Sequence, residues 1–63
     1  MEESIGVSMD GELIYTGDVC EITAGPYAGK RGKVKRYSPG TAMVEIGPME
    51  GKVEYFTRLR VVE

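Results

Sequence analysis

Apolar and polar residues alternate with a period of two along most of this chain, and glycine and proline break the alternation at short intervals. That combination predicts short β-strands joined by tight turns. Val19, Glu21 and Thr23 fall on one face of a strand, Cys20, Ile22 and Ala24 on the other. Gly25-Pro26 stops it, because proline has no ladder donor and glycine supplies backbone angles that other residues resist. Tyr27, Ala28 and Gly29 carry the chain over, and Lys30 and Arg31 lead into a second strand. On that strand Lys33, Lys35 and Tyr37 share one face, Val34 and Arg36 the other, and Gly32 marks a bend or a close backbone approach.

The remaining segments follow the same grammar. Met1 to Ser4 is expected to fray, and residues 5–15 read as a hairpin about Asp10-Gly11, a dipeptide that favours a two-residue type I′ turn. That turn sets Met9 opposite Glu12, Val7 opposite Ile14 and Ile5 opposite Thr16, with Ile5, Val7 and Ile14 on the face that packs inward. After a turn at Ser38-Pro39-Gly40, residues 41–46 give the cleanest strand, with Ala42, Val44 and Ile46 inward and Thr41, Met43 and Glu45 outward. Gly47 to Gly51 turns the chain again. Residues 52–56 form a strand with Val53 and Tyr55 on its core side, Thr57-Arg58 a tight or 3₁₀ turn, and Leu59 to Val62 a last strand with Leu59 and Val61 inward. The fold class is all-β, a small barrel.

Gly17-Asp18, Cys20 and Ile22, Gly25-Pro26-Tyr27-Ala28-Gly29 and Gly32-Lys33-Val34 together resemble the KOW motif. That motif is found in the C-terminal domain of NusG-type transcription elongation factors and in several large-subunit ribosomal proteins. The resemblance covers about a third of the chain. It implies an SH3-like barrel of about five strands over residues 17–63, in a single domain that carries residues 1–16 as an added N-terminal hairpin. The hairpin lies outside the pattern, and completing the barrel, capping it or offering an edge to a partner are its open roles. Modules of this kind bind RNA or protein in the transcription and translation machinery. With no apolar run of membrane length and an acidic N-terminus unlike a signal peptide, a small cytoplasmic domain is expected.

Charge sharpens that picture. The net charge is −2, yet residues 1–29 hold six acids and no base, while residues 30–36 hold five bases. Lys30, Arg31, Lys33, Lys35 and Arg36 therefore form a local basic patch on an acidic module. Converging cations beside an aromatic suit a phosphate backbone, with the ring stacking a base. The plain alternative is an edge strand that uses lysines against edge-to-edge pairing. Tyr37 either stacks a base or covers the open end of the sheet. Tyr27, flanked by Gly25, Pro26 and Gly29, either meets a protein partner, as the corresponding loop aromatic does in NusG-like modules, or folds back over the barrel end.

Other residues read structurally. Arg58 and Arg60 extend the patch or pair with Glu54 or Glu45, Cys20 serves as a small hydrophobe, and Asp18 bonds backbone where the strand begins. Glu2, Glu3, Asp10 and Glu12 form a solvated acidic end. There is no histidine, and one cysteine allows no internal disulfide. No serine, threonine or cysteine has a base partner, and GPYAGK at residues 25–30 lacks the spacing of a phosphate-cradling loop. No apolar run approaches the roughly 20 residues of a membrane span. The expectation is a non-catalytic RNA-binding module, with protein-protein adaptor as the alternative. No cofactor, metal, membrane or small-molecule substrate is expected.

Overall fold

The computed structural model describes residues 3–62. The expected fraying of Met1 and Glu2, and Glu2's place in the acidic end, fall outside the described residues. Seven strands and one 3₁₀ turn follow in order. They are β1 (Gly6–Val7), β2 (Leu13–Ile14), β3 (Val19–Ile22), β4 (Arg31–Ser38), β5 (Thr41–Gly47), β6 (Glu50–Tyr55), the 3₁₀ turn Phe56–Arg58 and β7 (Leu59–Val61). β1 and β2 form a separate hairpin, and the other five make one antiparallel sheet in the order β6-β5-β4-β3-β7. The fold is all-β, and its meander plus 3₁₀ turn matches the arrangement of a small SH3-like barrel.

Cys20, Ile22, Val34, Ala42, Val44, Phe56, Leu59 and Ile14 gather into one core cluster. Alternation places the sheet residues there, and Ile14 brings in the hairpin. The hairpin caps this core: Met9 N–H donates to the Leu59 carbonyl at 2.9 Å, and Gly6 lies flat against the Phe56 ring, where a Cβ would come within 2.5 Å of Cγ.

The hairpin's register is one residue away from the expected one. Gly6 faces Ile14 and Val7 faces Leu13, so Val7 points outward with Leu13 rather than inward with Ile14. A type I′ turn needs positive φ at both central residues. Among the described residues only glycines have it, Gly11 at φ 82 included, so Asp10 does not meet that need. Instead Gly11 N–H closes a turn onto the Ser8 carbonyl at 3.0 Å, and Ser8 N–H pairs with the Glu12 carbonyl at 2.8 Å. This is a three-residue loop with glycine in the left-handed position. The buried Ser8 Oγ holds it, accepting from Asp10 N–H at 3.2 Å and Glu12 N–H at 3.1 Å.

β6 also runs in the opposite phase to the expected one. Val44 faces Lys52 and Ala42 faces Glu54, which turns Val53 and Tyr55 to the outer surface, 43% and 58% exposed. Phe56 enters the core in their place. β6 is one of the two edge strands, and at its inner face long polar side chains suffice: Lys52 lies over the Tyr27 ring and Glu54 approaches Arg58 at 4.0 Å. Stems of that kind cover apolar surface while their heads stay wet. Ala24, expected on the inner face with Ile22, lies beyond the end of β3 and is exposed.

Gly32 meets the expectation of a close approach. A Cβ there would collide with the Glu45 carbonyl oxygen and carbon, both backbone atoms that cannot swing aside. Gly32→Ala should therefore cost about 3 kcal/mol or more, the upper range for overpacking. A core of this size yields only about 3–5 kcal/mol, so the variant is expected to be largely unfolded at 25 °C. Gly47→Ala, whose Cβ would meet only the Glu50 side chain at ordinary contact, is the control and should melt near wild type. Thermal melts by circular dichroism check both, and equal melting temperatures would overturn the assignment.

Candidate nucleic-acid interface

Between β3 and β4 the loop is fixed at both ends. Gly29 N–H donates to the Ile22 carbonyl and Ile22 N–H to the Lys30 carbonyl, each at 2.8 Å. Thr23 is tied to the Arg58 carbonyl through its backbone N–H at 2.9 Å and its hydroxyl at 2.8 Å. Gly25 and Gly29 take left-handed backbone, φ 86 and 91, which lets the chain reverse twice in a short span. Gly25, Pro26 and Gly29 are exposed, but the Tyr27 ring folds back and packs on the core, with Lys52 Nζ 4.7 Å from its centroid. Of the two orientations open to Tyr27, the structure takes the one over the barrel end.

β4 distributes the basic residues by its alternation. Arg31, Lys33 and Lys35 stand on the outer face, Arg36 on the opposite phase, and Lys30 in the loop just before the strand. All five are exposed. A register shift between Arg36 and Ser38 leaves Tyr37 at a bulge, 61% exposed. Pro39 and the left-handed Gly40, φ 83, then turn the chain as in a type II turn.

Cross-strand rows complete the outer face. Arg31 faces Glu21 and Glu21 faces Arg60; Lys33 faces Val19 on one side and Glu45 on the other; Lys35 faces Met43, and Met43 faces Val53. In the first row Glu21 Oε1 accepts from Arg31 Nε and Arg60 Nη2, each at 3.1 Å. One carboxylate thus ties down two cations, and the row keeps a net charge of about +1. Among the described residues Lys33, Lys35, Lys30 and Arg36 have no ion-pair partner. Arg58 pairs with Glu54 as expected, whereas Arg60 reaches Glu21 and not Glu45.

The surface holds more than the sequence indicated. With β6 in its observed phase, Tyr55 and Val53 join Met43, Lys33 and Lys35 on one face. Phe56 was the available signal: it neighbours Tyr55 in sequence, so only one of the two can point inward, and the less polar ring is the better core residue. Cys20 and Asp18 keep structural roles. Burial, with the Asp18 charge adding to it, pushes the Cys20 thiol up to about 11, which keeps it protonated. Asp18 Oδ2 accepts from Tyr15 N–H at 2.9 Å.

The hydrogen bond from Arg60, followed by its charge and by Arg31, holds the Glu21 carboxyl below the usual carboxylate range. A depressed folded value means that the ionised clamp contributes fully above the unfolded value and is lost as pH falls through the folded one. The stability gap between wild type and Glu21→Gln is expected to be steady near neutrality and to close below the usual carboxylate range. Urea unfolding across that range measures it, and a gap that persists in acid would contradict the clamp.

Among the described residues no helix is long and apolar enough to cross a membrane, and no cluster of ligating side chains suits a metal. A search of curated proteins finds no match to the chain. Residues 16–46 match the family model of the KOW motif. The match starts at the turn before β3 and ends in β5, so it contains the Gly25–Gly29 loop, Gly32 and every basic residue of β4. KOW motifs are in general RNA- or ribosome-associated binding modules without catalytic activity. The chain carries a KOW motif over residues 16–46.

Proposed function

We propose that the chain is a non-catalytic module of the transcription or translation apparatus that binds RNA through β4. The observation that carries this reading is the exposed set Lys30, Lys33 and Lys35, lacking ion-pair partners among the described residues and lying inside the KOW match. Exposed ammonium groups displace condensed counterions from a phosphate backbone, and that release drives association. Arg31 shares this face but is shared with Glu21, so it serves more as a rim than as a free contact. Arg36 and Tyr37 flank the set at the bulged end. Glu45, facing Lys33, sets an acidic border to the track. The protein-adaptor reading draws less support, because the Tyr27 ring that would anchor it is packed down beneath Lys52.

Lys33→Glu with Lys35→Glu is expected to weaken RNA binding at least ~10-fold and to flatten its salt dependence. Two single-strand phosphates at roughly 0.7 each make about 1.4 in the slope of log affinity against log salt. Arg36→Glu, on the other phase of the strand, should lose less. Fluorescence anisotropy with short labelled RNAs at several salt concentrations measures this, and wild-type affinity in the double variant would overturn the reading.

A further inference from the structure

Val53 and Tyr55 pose a question that folding does not answer. They lie on the outer face of an edge strand, where apolar side chains invite unwanted pairing and long polar ones are the usual protection. Here the arrangement is inverted, with Lys52 and Glu54 on the inner phase and Val53 and Tyr55 outside. Met43 extends the apolar surface. It lies across Gly51, where a Cβ would sit 2.7 Å from its sulfur, so its thioether is laid down toward β6. The guanidinium of Arg58 sits 5.7 Å from the Tyr55 ring centroid and adds a cation at that corner.

Register places this apolar ground beside the free lysines. Val53, Met43 and Lys35 form one row, and the next has Tyr55, Thr41 and Ser38. The row on the other side of Lys35 holds Gly51, Glu45 and Lys33. β4 and β6 are two interstrand spacings apart, about 10 Å. Lysines thus line one side of the face and a ring with two apolar side chains floors the other. Tyr37, at the bulge of β4, is a second exposed ring at the Tyr55 end of the sheet.

We propose that this face is a stacking platform for unpaired bases, so that the RNA is taken as a single strand: Tyr55 stacks a base, Met43 and Val53 support it, and Lys33 and Lys35 hold the phosphates. The proposal rests on the RNA reading above and specifies its substrate class. A duplex keeps its base faces stacked inside the helix and is recognised by phosphates, hydroxyls and shape. A ring and thioether beside the cations have nothing to meet on it. A single strand offers a face from every base, and aromatic stacking on it tolerates sequence. The positive charge beside the platform selects a polyanion over an apolar protein surface.

The test compares an eight-nucleotide oligouridine with the same strand paired to oligoadenosine, against wild type, Tyr55→Ala, Tyr55→Phe and the Lys33/Lys35 double reversal. Wild type is expected to prefer the single strand. Tyr55→Ala should lose about tenfold for it, within the range found for stacked bases, while its salt slope stays unchanged because no charge is removed. Tyr55→Phe should retain binding. Tyr55 is more exposed than buried, so the alanine variant should keep its fold, which a thermal melt verifies. Full affinity in Tyr55→Ala, with binding lost in the lysine reversal, would overturn the platform and leave the RNA reading standing. Equal or tighter binding of the duplex would also overturn it, and no binding of either RNA would overturn both readings.

Discussion

The passage of the β5 backbone over Gly32 is the constraint on which the rest of the sheet depends. The Glu45 carbonyl occupies the space a side chain would need, so the observed β4–β5 register requires glycine at position 32. Strand side chains alternate, and a slip of one residue would reverse every face. Fixing this contact therefore turns Val34 and Val44 into the core and Lys33, Lys35, Met43 and Glu45 to the outside. The glycine that admits this contact also sits between two outward cations, Arg31 and Lys33. Fold and candidate surface share one cause.

Charge on this module is arranged rather than accumulated. An acidic chain overall still presents lysines on β4, because alternation concentrates them on one face while Glu21 captures Arg31 and Arg60 in the neighbouring row. Clamping two guanidiniums with one carboxylate joins β4, β3 and β7 across the outer face. It also halves the excess charge of that row, and among the described residues Lys33 and Lys35 are the outward β4 cations without an ion pair, bordering the apolar ground of Met43, Val53 and Tyr55.

How far the sequence discloses this molecule depends on the range of the interactions that decide each feature. The β3–β4 unit, the Ser38–Thr41 turn, the 3₁₀ turn and the inward set of β5 follow from local alternation and from glycine and proline chemistry, and all are legible. Gly32 and Asp18 are legible too, since their roles are tied to their immediate strands. The phase of β6 is not, because a register shift between Glu45 and Gly47 and the competition between Tyr55 and Phe56 settle it. The hairpin register escapes for a similar reason: the Ser8 hydroxyl and the docking of Gly6 under Phe56 select a longer loop than Asp10-Gly11 alone suggests. The basic half of the candidate surface lies within one strand and reads directly. Its apolar half is assembled across β5 and β6.

The outer face of β4, β5 and β6, and not the Gly25–Gly29 loop, is proposed to meet the ligand. An NMR titration of the isotope-labelled chain with a short single-stranded RNA maps this residue by residue. Shifts that weaken with salt are expected at Lys33, Lys35, Met43, Val53 and Tyr55, with the loop and the N-terminal hairpin nearly still. Shifts centred on Gly25 to Gly29 or on β1 and β2, or none even at low salt, would contradict it.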